Sequence, residues 1–319
     1  LVAGATPNIR YKNKQPIPKC SQLFDKINEF LEEYPPQRLY TLTATPIRSP
    51  MCVWGLARIL GVKWNFYEFR DIFYFKVKRG FREFFIPKND EHTKNRLAKA
   101  VQKLGYTGKL EDYFDVPEQT FRDIFIDQTP EQKKRLEEIE LEFPDPLVLI
   151  GKRHQIENGV LTGDQFVDEQ YINDNKIDVL LDIALEFPKF VIFAKYTMQI
   201  AKIKKVLEDN GYRVLTLQGD TKDRQSVIEM AEQATNVILI IQSQISAGFE
   251  LPSFPVMVFA SMSYSVVDRI QAEGRILRAN ALKKNLYITL VTKGGIDMAV
   301  YKSINNKVDF NEKIFAENL

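Results

Sequence analysis

Gln271, Arg275 and Arg278 stand at positions i, i+4 and i+7 of the segment Asp268-Arg269-Ile270-Gln271-Ala272-Glu273-Gly274-Arg275-Ile276-Leu277-Arg278. A helix would place all three on one face. Two guanidiniums one turn apart form a donor fork suited to the oxygens of a polyphosphate. Gly274 leaves room for close approach, and Ile270, Ile276 and Leu277 can anchor the helix. The same spacing also describes a solvated basic helix face. Two further segments pair apolar runs with reactive turns. Gln242-Ser243-Gln244-Ile245-Ser246-Ala247-Gly248-Phe249-Glu250-Leu251 follows an apolar run, and Gly248 would let backbone approach a phosphate. Thr41-Leu42-Thr43-Ala44-Thr45-Pro46 runs from a β-like stretch into hydroxyl-rich turn residues. An ordinary βα turn and a proline-initiated helix explain these two equally well.

Reactive turns of this kind need strands behind them, because open α/β sheets gather ligands at the carboxyl ends of their strands. Strands are expected at 38–43, 190–194, 213–217, 237–241, 256–260 and 286–291, and several are apolar on both faces, as buried parallel strands are. Ile200, Ile203, Val206 and Leu207 recur at helical spacing between Thr197 and Asn210, and Gly211 stops the pattern. The βα rhythm from Lys176 to Val291 predicts a doubly wound α/β domain. Residues 52–170 are richer in aromatics and charge and read as a mixed insertion or an inter-domain segment with helices. It holds a helix from Thr129 to Glu140, with Thr129 as cap and Pro130 first in the helix.

Composition narrows the classes. The 319 residues carry 44 Lys+Arg against 42 Asp+Glu, for a net charge of +2, and 45% are hydrophobic. That composition excludes a disordered chain and a uniformly basic coating protein, but says nothing of a local basic groove. No apolar run is long enough for a membrane helix. Cys20 and Cys52 cannot make a disulfide framework or a zinc site, and His92 and His154 show no metal-ligand spacing. No metal site is expected. Leu1 to Ala5 lack a basic n-region and do not read as a signal peptide. A cytoplasmic or nuclear setting is expected rather than secretion.

Taken in order, these segments resemble the motifs of superfamily 2 helicase-like ATPases, most closely the Swi/Snf group of double-stranded DNA translocases. Thr43 to Arg48 resembles motif III, and Asp127-Gln128-Thr129-Pro130-Glu131-Gln132 the group's "l-t-x-x-Q" segment. Arg153 to Gly159 resembles "l-R-Q-i-x-n-G", with His154 as an extra residue. Val191 to Tyr196 is similar to motif IV, and Leu217-Gln218-Gly219-Asp220-Thr221 with Arg224 to the element that follows it. Ser246 to Leu251 resembles motif V with Glu250 where Asn or Asp is usual. Gln271-x-x-Gly274-Arg275-x-x-Arg278 matches motif VI. Thr292 to Asp297 resembles "g-T-i-D", with Gly295 in place of the Thr.

The resemblance implies two RecA-like lobes that sandwich ATP. It makes Arg275 and Arg278 arginine fingers that stabilise charge on the transferring phosphoryl group, helped by Gln271. Thr43 and Thr45 would couple the phosphate site to the nucleic-acid track, and Gly248, Glu250 and Gly274 would lie near the lobe interface. The implied architecture is one RecA-like parallel-sheet lobe with helices on both faces at 116–319. Residues 1–115 would be the C-terminal part of a first lobe with an insertion. Double-stranded DNA is the implied partner; protein partners are not indicated. Candidate phosphate contacts are Lys195, Lys222 and Arg224, with Lys202, Lys204 and Lys205 nearby. Lys76, Lys78 and Arg79 form a second group, interleaved with Phe75 and Phe81. That pattern fits a strand-gripping surface, or equally a half-buried strand with a solvated charged face. His154 reads as a core or surface histidine, Trp54 and Trp64 as packing residues, and Lys283 and Lys284 as a solvated turn.

Members of this family also need a phosphate-binding G-x-x-x-x-G-K-[ST] loop and a Mg²⁺-binding D-E pair. No such loop occurs in the 319 residues. One alignment of Leu1 to Arg10 puts Gly4 and Ala5 at the carboxylate places; another, anchored on Lys12-Asn13, puts Thr6 and Pro7 there. ATP and Mg²⁺ are therefore expected to bind mainly to a missing part of lobe one upstream of Leu1, or the site is degenerate. On either account this chain alone is expected not to hydrolyse ATP. The leading reading is the C-terminal portion of a DNA-dependent ATPase that translocates on or remodels duplex DNA. The alternatives are a non-catalytic DNA-binding or structural module, a strand-separating helicase and, least compatible with the motifs, an unrelated Rossmann-type transferase.

Overall fold

The computed structural model describes residues 5–12, 15–41, 49–79, 82–106, 108, 112–164, 168–245, 248–277 and 284–306. The chain divides into two compact units, residues 1–109 and 110–319.

In the first unit, β1 (Ala5–Lys12) and β2 (Gln15–Cys20) form an antiparallel hairpin. It is followed by α1 (Gln22–Glu33), whose first turn is capped by Ser21 Oγ accepting from Phe24 N. Then come α2 (Pro50–Ile59) and α3 (Phe66–Phe73). A second antiparallel hairpin, β3 (Tyr74–Arg79) with β4 (Arg82–Pro87), precedes α4 (Glu91–Gln102). Phe24, Met51, Trp54, Phe66, Phe69 and Phe73 make the buried core of this unit. Both tryptophans pack: Trp54 Nε1 donates to Trp64 O at 3.0 Å, and Trp64 stacks on Phe69.

In the second unit the elements run β5 (Gln119–Ile126), α5 (Pro130–Glu142), α6 (Pro146–Glu157), β6 (Val160–Leu161), β7 (Gln170–Tyr171) and α7 (Asn175–Glu186). They continue with β8 (Lys189–Ala194), α8 (Thr197–Asp209), β9 (Val214–Leu217), α9 (Arg224–Gln233) and β10 (Val237–Gln242). Last come β11 (Val256–Phe259), α10 (Val266–Ile276), β12 (Asn285–Thr292) and α11 (Ile296–Asn305). Six strands form one parallel sheet in the order β5-β12-β11-β8-β10-β9. Alternate side chains of each inner strand enter opposite cores, as the two-residue period of a strand requires. Val191, Phe193, Leu239, Ile241, Met257 and Phe259 join α9, α10 and α11. Phe190, Ile192, Ile238, Ile240, Val256 and Val258 join α7 and α8. Every residue of β8 is buried. Truncating one of these aliphatic side chains to Ala costs about 2–5 kcal/mol.

The chain enters β8, moves outward to β9, returns through β10 and then crosses to β11 on the other side of β8. Helices after β8 and β11 leave on opposite faces. This reversal marks the point where ligands collect in open α/β sheets.

The expected strands at 190–194, 213–217, 237–241, 256–260 and 286–291 are present within a residue or two, as is the helix from Thr197. Gly211 adopts φ 85°, the left-handed conformation that ends such a helix. Three expectations change. Residues 38–41 form no strand, and 42–43 lie outside the described residues; the described strands of this unit pair only as antiparallel hairpins, so no parallel neighbour holds one there. Residues 52–170 are not one insertion but run from the first unit into the second. β5, within that stretch, joins the main sheet beside β12. Its middle is exposed as a sheet edge, so it lacks the apolar run that betrays its neighbours.

Thr129 and Gln132 close a capping box on α5: Gln132 N donates to Thr129 Oγ1 at 3.2 Å, and Thr129 N to Gln132 Oε1 at 3.0 Å. Gln132 is fully buried, and its Nε2 also donates to Ile156 O at 3.0 Å and Glu157 O at 3.1 Å at the end of α6. Thr129→Ala should cost about 1 kcal/mol of unfolding free energy. Gln132→Leu should cost about 2–4 kcal/mol, because it also removes the two buried bonds from Nε2 to Ile156 O and Glu157 O. Urea melts of the two variants check this; equal losses would reduce Gln132 to a local cap.

Candidate functional site

The end of α10, which runs back from the carboxyl end of β11 toward the start of β12, is tied to the segment after β10. Arg275 Nη1 donates to Phe249 O at 2.7 Å, and Leu251 N donates to Arg275 O at 2.8 Å. Gly248 adopts φ 93°, a conformation L side chains rarely take, so glycine is required there. Glu250 beside it is exposed. Gln271 and Arg275 are half-buried one turn apart on α10, and a Cβ at Gly274 would meet nothing within 4 Å. The helix closes at Ile276, with Leu277 extended, before Arg278. Arg278, Thr43 and Thr45 lie outside the described residues.

The anchoring of α10 differs from expectation. Ile270 is 43% exposed, because position 270 falls roughly opposite Ala272 and Ile276, which carry the burial of the second half of the helix. Arg269 supplies an unforeseen brace. Its guanidinium lies 3.5 Å from the Phe259 ring centroid, Nε donates to Glu273 Oε1 at 2.6 Å, and Nη2 donates to Thr289 Oγ1 at 3.2 Å. Ser265 Oγ caps the first turn by accepting from Asp268 N.

The candidate nucleic-acid contacts fall into separate groups. Lys195 follows β8; its ammonium lies 3.2 Å from the centroid of the Tyr264 ring, and its backbone N donates to Ser261 Oγ at 2.7 Å. Lys222 is exposed, and so is Arg224, whose Nη2 donates to Gly219 O at 3.2 Å. Along α8, Lys202 pairs with Asp174, Lys204 with Glu208 and Lys205 with Asp209. In the first unit, Lys76 and Lys78 share Glu83 at 2.8 and 4.0 Å, while the side chain of Arg79 lies outside the described residues.

Where the chain reverses between β8 and β11, the carboxyl edge is filled by the protein's own polar groups. Lys176, 3% exposed at the start of α7, donates from Nζ to Asp297 Oδ2 at 2.8 Å and Asn158 Oδ1 at 2.7 Å. It also donates to Ala260 O at 2.9 Å and Leu290 O at 3.2 Å, at the ends of β11 and β12. Asp297 also accepts from Thr292 N at 2.7 Å and meets His154 Nε2 at 3.2 Å. Tyr196 Oη lies 2.6 Å from His154 Nδ1. An ionised carboxylate only accepts, which assigns the imidazole proton to Nε2 and leaves Nδ1 to accept from the tyrosine hydroxyl. Burial alone would raise the Asp297 carboxyl; the Lys176 charge and the His154 bond outweigh it and hold it well below the usual range. Burial pushes His154 down to about 4, against the pull of Asp297, so the ring is neutral at pH 7. His154 is a core histidine.

Glu157 completes the cluster from α6. Its carboxylate accepts from Ile296 N at 3.1 Å and Asp297 N at 2.6 Å, supplying a cap to α11 that Gly295, the N-cap residue, cannot. A Cβ at Gly295 would sit 2.0 Å from Glu157 Oε1. The glycine that departs from the "g-T-i-D" pattern is thus the space in which Glu157 lies. Burial pushes Glu157 up to about 7; the bond from Asp297 N opposes this and the Asp297 charge adds to it. Sequence reading gave Lys176, Glu157 and Asp297 no role. The available signal was Lys176 at helical spacing from Leu180, Ile183 and Ala184, a cation on an apolar stripe that demands a buried partner. Among the described residues no three His, Cys, Asp or Glu side chains are grouped to hold a metal ion, and no helix is long and apolar enough to cross a membrane.

Residues 175–280 match the helicase conserved C-terminal domain family. The chain is 25% identical over 149 residues to the ATP-dependent helicase fft2 of Schizosaccharomyces pombe, covering 44% of this chain and 12% of that protein. It is 23% identical over 168 residues to the ATP-dependent RNA helicase DBP3 of Yarrowia lipolytica, covering 51% of this chain and 31% of that protein. Thus the chain spans less than a third of the length of either relative. Among solved structures, the C-terminal part of the Fun30 ATPase domain shares the fold with TM-score 0.52 at 17% identity, over 64% of this chain and 97% of that one. The second unit therefore has the fold of a RecA-like α/β lobe, and over 175–280 it is similar to the C-terminal domain of helicases.

Two outcomes follow for the buried cluster. As pH falls from 6.5 toward 4, an unfolded histidine takes a proton that buried His154 refuses, so this group's contribution to stability is lost. As pH falls from about 7 toward 4.5, buried Glu157 takes a proton that the unfolded chain does not, so stability is gained. The two oppose each other. Relative to the parent, Glu157→Gln should lose stability on acidification from about pH 7 to about pH 5, and His154→Asn should gain it, in urea midpoints. Slopes unchanged in both variants would rule out titration at the cluster. Separately, Gly295→Ser should cost about 2 kcal/mol by displacing the Glu157 cap, and much of that should return when Glu157→Ala lets the new hydroxyl cap α11. Additive losses in this double-mutant cycle would refute the shared space.

Proposed function

We propose that the helicase C-terminal domain at 175–280 serves as the second motor lobe of an ATP-dependent machine that moves on duplex DNA, this chain being its C-terminal portion. One observation carries the reading. The junction of Arg275 with Phe249 and Leu251 draws the motif VI arginine against the motif V segment that links β10 to β11. A guanidinium resting on a neutral carbonyl can exchange it for a phosphate oxygen, a stronger charge-assisted partner.

In this reading ATP is held mainly by a lobe that carries the phosphate-binding loop, and its hydrolysis supplies the free energy of movement. Arg275 and Arg278 offer positive charge to the γ-phosphate as it transfers, and Gln271 orients them. Gly248 lets backbone come close, with Glu250 and Gly274 beside the same junction; Thr43 and Thr45 link nucleotide state to grip. The first unit, with the segment up to about residue 115, belongs to the other lobe. Lys195, Lys222 and Arg224 hold phosphates from the second lobe, with Lys76, Lys78 and Arg79 adding to that grip. Contacts of this kind give affinity without reading sequence. Mg²⁺, which would neutralise charge on the phosphates, would in this reading be held by the lobe that carries the phosphate-binding loop. A non-catalytic module is the second reading, favoured by the lack of a G-x-x-x-x-G-K-[ST] loop in the 319 residues.

The 319-residue chain alone should release no phosphate from ATP in the presence of saturating duplex DNA; turnover would overturn the proposed division of labour. In a longer protein that supplies the phosphate-binding loop, Arg275→Ala or Arg278→Ala should lower turnover by roughly 10³- to 10⁵-fold. Stimulation by RNA and not by duplex DNA would exchange the track for RNA.

A further inference from the structure

The β3–β4 hairpin has two unlike faces. Its inner face packs on the first unit: Tyr74 is buried, and Phe85 packs against the core with the Arg70 guanidinium 4.4 Å from its ring centroid. Its outer face does not. The register pairs Phe75 with Ile86 and Val77 with Phe84, so these four side chains share that face. Phe75 is 56% exposed, Ile86 45% and Phe84 42%. A two-stranded sheet gains nothing from keeping phenylalanines in water, and a contiguous exposed apolar face marks a contact surface.

Charge identifies the occupant. Between Tyr74 and Lys88 the sequence carries the cations Lys76, Lys78, Arg79, Arg82 and Lys88 against the single acid Glu83. Lys76, Lys78 and Glu83 fall by alternation on the Tyr74 and Phe85 face, where the two lysines share the glutamate, and the hairpin as a whole stays positive. Lys88 reaches over the Phe75 ring at 5.3 Å, bringing a cation to the edge of the apolar face. Aromatic faces for bases within a field of cations for phosphates are what an unpaired nucleic-acid strand requires. Phe75 and Phe84 lie diagonally across the ladder, roughly 7–8 Å apart, enough for each ring to take its own base.

We propose that the outer face of the β3–β4 hairpin is a platform for unpaired DNA, with Phe75 and Phe84 stacking on bases and the hairpin's cations holding the phosphates. The proposal rests on the nucleic-acid reading above but adds a contact of a different kind, since a base paired within a duplex cannot offer its face to a protein ring.

The test uses the 319-residue chain and fluorescence anisotropy with labelled oligothymidylate and a blunt duplex of equal length. Phe75→Ala with Phe84→Ala should weaken oligothymidylate binding at least tenfold, leaving its salt dependence and duplex affinity unchanged. Phe75→Leu with Phe84→Leu keeps the apolar bulk without the ring faces and should lose a similar factor, which separates stacking from folding. Lys88→Gln, which removes the cation beside Phe75, should instead flatten the salt dependence. Parental oligothymidylate affinity in both phenylalanine pairs would overturn the platform while the duplex reading stands. Failure of the parent chain to bind either DNA would remove both. Tighter, ring-dependent binding of oligouridylate, or ring-dependent displacement by a polyglutamate peptide, would overturn the assignment in favour of RNA or an acidic protein.

Discussion

The second unit depends on one buried ion pair, Lys176 with Asp297. Neither charge could enter the interior alone, since an isolated ion there costs several kcal/mol after relaxation. Each is fully dressed instead. Lys176 donates to Asp297, Asn158 and the carbonyls that end β11 and β12, while Asp297 collects Lys176, Thr292 N, His154 and the end of α11. The pair therefore joins α7 on one face of the sheet to α11 on the other, across the strand ends. Removing one partner strands the other and loosens every element that meets there.

That arrangement separates two regions of unlike character in the second unit. At the reversal between β8 and β11, where an open α/β sheet commonly receives a ligand, the crevice is already occupied by the protein's own hydrogen-bonded groups. The side along α10 and the segment after β10 is left for exchangeable contacts, with Arg275 resting on Phe249 O, and Gly248 and Gly274 carrying no side chain. A stiff floor beside a replaceable contact suits a lobe that must meet a nucleotide repeatedly without reshaping its own core.

The legible and illegible parts of the chain divide along physical lines. Val237 to Gln242 and Lys189 to Ala194 were readable because strands buried on both faces must be apolar throughout. The Thr129 cap could be read because caps are local, whereas the reciprocal bond from Thr129 N to Gln132 emerges only in the structure. β5 escaped notice because an edge strand keeps much of itself in water. The antiparallel hairpins of the first unit escaped because a two-stranded ribbon needs no long apolar run. Of the candidate site, the Arg275 and Gly248 positions were found through motif order, whereas Ile270 was misplaced because spacing does not say which side of α10 meets the sheet. The buried cluster was invisible for another reason: Lys176, Glu157 and Asp297 acquire meaning only when the strand ends bring them together.

The glycine at the head of α11 carries a consequence for how the chain acquires its shape. A helix whose first turn is satisfied by neighbouring residues can flicker into existence early, as α5 can with Thr129 and Gln132. α11 has no such local partner; its cap arrives from Glu157, near the opposite end of this unit in sequence. Closing that long loop is slow relative to forming a turn. The last helix therefore has to wait for α6 to be in place, and the order of assembly is written into a single missing side chain.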